Sequence, residues 1–276
     1  MATNSITASP TIVVGRKGWL FSDTVGGAQA TVRSWLRQTD AVEPKYPEAG
    51  IDCRALVRAG KAGPSGVTTV EGDILDPSSL VEAVKGVEAI IHLAAVLRTP
   101  KPEDIWTVNL DGTRNLIAAV REHAAHARFI MASTGLVYND ESPKASQETD
   151  PVAPKRDYPA SKVAAEKLLR DSGLNWSILR FGFVYGDADG HIGQIPHIAQ
   201  LLKLHPANRL SMIHHCDIAT FVKMGLGGVL DGRVVNTVDD APMTIFDLSV
   251  MAGRPWSRAP SRLTIPGPAF WTDRWR

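Results

Sequence analysis

Tyr158 and Lys162 stand four residues apart in the run Tyr-Pro-Ala-Ser-Lys, a spacing that puts two side chains on one face of a helix. An ammonium beside a phenol stabilises the phenolate and lowers the tyrosine pKa, so the pair could move a proton near neutral pH. Taken alone, the spacing also suits an ordinary surface pair. A second feature lies upstream, where Arg128 to Ser133 reads as a strand whose end carries Met131-Ala132-Ser133-Thr134. A hydroxyl at a strand's carboxyl end sits where a parallel sheet presents ligands. Thr134 or Ser133 could then hydrogen-bond a reacting oxygen, although a plain Ser-Thr turn has the same sequence.

The elements that must position these groups follow from hydrophobic periodicity. Strands are expected at Thr11 to Val14, Asp52 to Arg58, Val67 to Glu71, Ala89 to Leu93, Arg128 to Ser133 and Trp176 to Arg180. Helices are expected at Ser78 to Val84, with a capping box from Ser79 to Glu82, at Ile105 to His123 and at Pro159 to Asp171. Alternation of this kind predicts right-handed βαβ units, hence an α/β fold with a Rossmann-like, doubly wound parallel sheet. After about Gly186 the rhythm loosens. Residues 1–186 read as the dinucleotide-binding domain and 187–276 as a smaller C-terminal substrate-binding lobe with a soft boundary and interleaved packing. In that lobe, helices are expected at Ile192 to Leu202 and Asp217 to Leu226, with strands at Leu210 to Ile213 and Val234 to Thr237.

Composition narrows the classes of function. The chain has 276 residues and is 44% hydrophobic, with Lys+Arg 30 against Asp+Glu 29. A net charge of +1 gives no electrostatic case for nucleic acid or an anionic membrane. No apolar run is long enough to span a bilayer, and Met1 to Pro10 lacks the character of a signal peptide, so a cytoplasmic protein is expected. Cys53 and Cys216 show no metal-ligand spacing. His214 and His215, if both lie on a strand, point to opposite faces, so no metal site is expected.

Six motifs in order then resemble the extended short-chain dehydrogenase/reductase family, in its NAD(P)-dependent epimerase/dehydratase group. They are Gly72-Asp73-Ile74, His92-Leu93-Ala94-Ala95, Val108-Asn109-Leu110-Asp111-Gly112-Thr113, Ser133-Thr134 with Val137-Tyr138, Tyr158 to Lys162 with Glu166, and Leu179-Arg180-Phe181-Gly182 with Val184-Tyr185-Gly186. The resemblance implies Tyr158 as general acid/base and Lys162 as the group that binds the nicotinamide ribose and tunes the phenol. It implies Thr134, with Ser133 second, as the catalytic hydroxyl. Asp73 and Ile74 would contact adenine. Leu93, Ala94 and Ala95 would line the cofactor, Asn109 would be structural beside the site, and Phe181 to Val184 would lie near the nicotinamide. Arg58, at the end of the second strand, suits the 2′-phosphate of NADP better than the 2′-hydroxyl of NAD. The implied activity is hydride transfer on a small hydroxylated or carbonyl substrate, ending as reduction or continuing to epimerisation or dehydration. The family often dimerises through the helices equivalent to Ile105–His123 and Pro159–Asp171, so a homodimer is expected.

Two regions depart from the family. The glycine fingerprint keeps Gly15 and Gly18 but has Phe21 at the third position, and the distance to Asp52 exceeds one crossover helix. Gly26-Gly27-Ala28 offers a second register with only the leading glycines. The segment Arg254 to Arg276 holds five arginines, one acid and three tryptophans, a net +4 against −3 for the rest of the chain. Either Trp256 to Arg276 is translated out of frame, or it is a basic tail that docks on a partner. These departures motivate the competing expectation of a cofactor-impaired relative that serves as a binding or scaffold protein.

Overall fold

The computed structural model describes residues 11–14, 21–22, 53–61, 67–97, 99–138, 146–186, 191–201 and 204–253. Gly15, Gly18, the Gly26-Gly27 register and the arginine-rich segment therefore lie outside the described residues. The elements are β1 (Thr11–Val14), β2 (Phe21–Ser22), β3 (Cys53–Val57), β4 (Thr68–Glu71), α1 (Pro77–Val84), β5 (Ala89–His92), α2 (Pro102–Trp106), a π-helical segment (Thr107–Gly112), α3 (Thr113–His123), β6 (Arg128–Thr134), a single 3₁₀ turn (Gly135–Val137), α4 (Asp157–Arg170) and β7 (Asn175–Phe181). Beyond them come β8 (Phe183–Tyr185), α5 (His191–Leu201), β9 (Arg209–Leu210), β10 (Met212–His214), α6 (His215–Leu226), β11 (Arg233–Thr237), β12 (Met243–Thr244) and α7 (Ile245–Met251).

The main sheet has the order β11-β7-β6-β5-β1-β3-β4. The run β4-β3-β1-β5-β6-β7 is the strand order of a doubly wound nucleotide-binding fold. β5, β6, β7 and β11 are mutually parallel, with Thr134, Phe181 and Thr237 level at the carboxyl edge. β3 and β4 are also parallel, with Val57 opposite Glu71.

β1 departs from the expected all-parallel sheet. It occupies the central position but runs antiparallel to both β3 and β5, pairing Val14 with Cys53 and Ala89. Its carboxyl end therefore lies at the amino-terminal edge of its neighbours. Residues 15–20 are too few for a crossover, so β1 and β2 pair as an antiparallel hairpin, with Ile12 opposite Phe21. β2 consequently runs with the other strands, and Ser22 stands opposite Thr11.

Alternation along the strands sorts the core into two layers. Ile90, Phe129, Met131 and Ile178 pack against Leu80 of α1, Leu116 of α3 and Leu169 of α4. Ile91, Ile130 and Leu179 face the other way, against Ile218, Ala219 and Val222 of α6. Gly225 lets α6 come close, since a Cβ there would stand 2.8 Å from Ile130 Cδ1. A third cluster joins Ile195 and Ala199 of α5 to Met212 and to Ile245 and Leu248 of α7. Residues 183–251 divide: α5, α7 and the pairs β8–β10 and β9–β12 stand beside the sheet, whereas α6 and β11 return to it.

Local corrections have simple causes. α1 is capped by Asp76, whose carboxylate accepts from Ser78 N (3.0 Å), and not by Ser79 and Glu82. Ser79 Oγ is held by the preceding loop, accepting from Asp73 N (2.9 Å). The expected strand Leu210 to Ile213 divides at Ser211 into β9 and β10, because Ser211 O is used by Phe183 N (2.9 Å). His214 and His215 do not share a strand. His214 ends β10 and caps α6, and His215 begins that helix, so their rings meet at 4.2 Å between centroids.

Candidate active site

Tyr158 is the second residue of α4, followed by a proline that the first turn tolerates because its missing N–H has no helical partner there. The turn is tied down from both sides. Trp106 Nε1 donates to Asp157 Oδ1 (3.0 Å), and Ser161 Oγ donates to the Tyr158 carbonyl (2.7 Å) while accepting from Asn109 Nδ2 (3.0 Å). Asn109 lies in the π-helical segment, buried, and clamps the loop after β5 by accepting from Val96 N (2.6 Å) and donating to Val96 O (3.0 Å). A π-helical turn widens the helix locally, and here it carries a side chain that bridges the β5 loop and α4.

Thr134 is the last residue of β6, and its hydroxyl faces the Tyr158 phenol closely enough to favour the phenolate. It also accepts from Leu136 N (3.2 Å). Ser133 points elsewhere, donating to Glu166 Oε1 (2.6 Å). Of the two candidate hydroxyls, Thr134 meets Tyr158 and Ser133 belongs to a buried ionic cluster. One turn along α4, Lys162 is 1% exposed.

The electrostatics differ from the expectation of a lowered tyrosine pKa. Burial pushes the Tyr158 phenol up to about 12, with the Thr134 hydrogen bond working in the opposite direction. Burial also pulls Lys162 down to about 8, while the negative charge of Glu166 opposes that fall. Desolvation of both groups outweighs their neighbours. His92, at the end of β5, is fully buried, and burial together with the Lys162 charge holds its imidazole down to about 3. Its Nε2 lies 2.8 Å from Thr113 Oγ1, which donates to Asn109 O (2.6 Å). Thr113 therefore accepts from Nε2–H, and Nδ1 has no hydrogen-bond partner among the described residues.

Beneath Lys162 lies a cluster that sequence reasoning did not assemble. Arg180 and Glu166 form a buried fork, Nε to Oε1 at 3.0 Å and Nη2 to Oε2 at 2.7 Å. Arg180 Nη1 donates to Tyr138 Oη (2.7 Å), which donates to Asn236 Oδ1 (2.7 Å). Asn236 N in turn donates to Glu148 Oε1 (2.8 Å). Two signals pointed to it: a glutamate four residues beyond Lys162, on the same helix face, and an arginine inside the apolar strand Ile178-Leu179-Arg180-Phe181.

The remaining predicted residues spread along the carboxyl edge. Leu93, Ala94 and Ala95 follow β5 and are buried, with little side-chain bulk at the alanines. Phe181 ends β7 and Val184 lies in β8, both partly exposed. Asp73 and Ile74 follow β4, on the far side of β3, β1 and β5 from Tyr158. Asp73 Oδ1 accepts from Leu75 N (2.9 Å), and the buried Ile74 rests where Gly112 has no Cβ. Arg58 directly follows β3 and is partly exposed. The edge near Tyr158 suits the nicotinamide-ribose end of a dinucleotide: small side chains, a phenol–hydroxyl pair and a buried ammonium lie together.

A doubly wound α/β fold with a tyrosine, a lysine and a threonine at its carboxyl edge defines the class. The NAD dependent epimerase/dehydratase family matches residues 39–210, and the chain belongs to that family, within the extended short-chain dehydrogenases/reductases. The UDP-glucose 4-epimerase of Azospirillum brasilense is 30% identical over 209 residues, 71% of this chain and 56% of that protein. The D-erythronate dehydrogenase of Cupriavidus necator is 32% identical over 137 residues, 48% of this chain and 39% of the relative. The chain thus spans about half the length of these relatives, or less. Among solved structures, the dTDP-glucose 4,6-dehydratase DesIV of Streptomyces venezuelae, with NAD and TYD bound, superposes with a TM-score of 0.65 at 24% identity, covering 82% of this chain and 78% of that one. Among the described residues no helix is long and apolar enough to cross a membrane.

Proposed function

We propose that this protein is an NAD(P)-dependent oxidoreductase or epimerase/dehydratase acting on a small hydroxylated or carbonyl substrate. The observation that carries the reading is the convergence of Tyr158, the buried Lys162 one turn along the same helix and the Thr134 hydroxyl at the end of β6. Tyr158 exchanges a proton with the substrate oxygen, Thr134 orients that oxygen, and Lys162 binds the ribose. A nicotinamide, when bound, supplies the redox step. The high phenol pKa favours the protonated form, so Tyr158 starts as an acid towards a carbonyl substrate. Lys162, near 8, carries its charge at neutral pH and loses it in mild alkali. Arg58 supports a preference for NADP. The packing of α3 and α4 on one face supports a homodimer through those helices, which light scattering tests.

Titration of nicotinamide fluorescence with NADPH and NADH tests cofactor binding, with micromolar NADPH affinity expected. Tyr158→Phe should lower turnover by about 10²–10⁴-fold while leaving cofactor affinity within about twofold. Unchanged turnover in that variant would remove the assigned role. A second reading, a cofactor-impaired binding or scaffold protein, is favoured by one observation: β1 ends at the amino-terminal edge. Failure to bind either nucleotide at millimolar concentration would select it.

A further inference from the structure

Beyond β7, the paired ends of β8 and β10 bring soft ligands together. His214 Nδ1 accepts from Cys216 N (3.3 Å), and His215 Nδ1 lies 3.6 Å from Cys216 Sγ. One ligand atom from each of His214, His215 and Cys216 can be chosen so that all lie within 4.8 Å of one another. The His215 ring occupies space that exists because residue 186 is glycine: a Cβ there would stand 1.5 Å from Cδ2.

Negative charge gathers at the same corner. Tyr185 Oη donates to Asp239 Oδ2 (3.0 Å), and the Tyr185 ring meets that of His214 at 5.1 Å. Asp217 lies in the first turn of α6, one residue beyond Cys216.

We propose that His214, His215 and Cys216 form a binding site for a divalent transition metal of the zinc type. With Zn–S near 2.3 Å and Zn–N near 2.0–2.1 Å, a tetrahedral centre sets nitrogen and sulfur about 3.6 Å apart and two nitrogens about 3.4 Å apart. The His215–Cys216 edge already has that length. The partly exposed His214 ring must swing inward by about an ångström to complete the set, and Asp217, Asp239 or water takes the fourth position. Two imidazoles and a thiolate select zinc or cobalt over magnesium or calcium, which require oxygen ligands. On binding, the Cys216 S–H bond breaks, an S–metal bond forms, and the proton passes to solvent. The site does not depend on the nicotinamide reading.

Cobalt(II) is the probe, added to the full chain after treatment with a chelator. One equivalent should produce tetrahedral visible bands and a thiolate-to-cobalt charge-transfer band, both displaced by zinc with release of a proton. Cys216→Ser should abolish the charge-transfer band, whereas Cys53→Ser, which removes the only other cysteine in the chain, should leave it intact. Should Cys216→Ser fail to fold, X-ray absorption of the zinc-loaded wild type decides, with one sulfur and two imidazole nitrogens expected. The proposal is overturned by the absence of a saturable band at millimolar cobalt, by a band that persists in Cys216→Ser or vanishes in Cys53→Ser, or by a zinc shell without sulfur.

Discussion

The two halves of the main sheet obey the same pairing rules and end in different places. From β5 to β11 every strand runs one way, and Thr134, Phe181 and Thr237 come level at the edge where Tyr158 and Lys162 stand. From β4 to β1 the central strand is reversed, although its backbone finds partners on both sides. An antiparallel neighbour satisfies a strand's donors and acceptors as well as a parallel one does. Position in a sheet and direction within it are therefore separable. Binding at a sheet edge depends on direction, so the half with long helical crossovers carries the candidate chemistry.

Four measurements sharpen this contrast. The largest effect is expected at the seam, where His92 on β5 borders both halves. Its imidazole is held near 3 in the folded protein against an ordinary 6.5. Below the ordinary value the unfolded chain takes up a proton that the folded one resists, so stability is full above about pH 6.5 and is lost as pH falls towards 3. Between pH 7 and pH 3 the loss is roughly 4 kcal/mol, and the difference between wild type and His92→Asn in urea titrations at those two pH values measures it. Equal acid sensitivity in both proteins would acquit His92.

Next comes Arg180→Met in the parallel half, which strands the buried Glu166 carboxylate and should cost about 3–5 kcal/mol. Adding Glu166→Gln should recover part of that loss, because an unpaired charge is then no longer buried. Gly186→Ala, beside His215, should cost about 1–3 kcal/mol through overpacking, read as a lower melting temperature. The smallest effect belongs to the other half. Arg54 Nη1 donates to the carbonyls of Glu82 and Lys85 at the end of α1, at 3.0 and 2.9 Å. Being partly exposed, it can pass these bonds to water, so Arg54→Ala should cost about 1 kcal/mol. A larger loss from Arg54→Ala than from Arg180→Met would reverse the contrast between the halves.

Much of the parallel half was legible in the chain. Alternating apolar runs located β5, β6 and β7 to within a residue or two, because buried strands and amphipathic helices impose different periods. Tyr158 and Lys162 were legible because four-residue spacing on a helix is local geometry. Thr134 and Ser133 were not separable as neighbours: only the partners Tyr158 and Glu166, contributed by α4, distinguish them. The lowered tyrosine pKa was expected from adjacency, and the raised value follows from burial, which adjacency does not reveal. Opposite faces are expected for His214 and His215 only if they share a strand, whereas the chain turns into α6 between them.

The residue order by itself determined which segments form strands and helices, which faces are apolar and which polar groups share a helical turn, since all of these depend on contacts within a few residues. Strand direction at β1, the Glu166–Arg180 fork, the burial of His92 and the convergence of His214, His215 and Cys216 were decided only in three dimensions. Each arises from groups whose distance and desolvation are set by elements that pack together from afar, and charge energies respond to both.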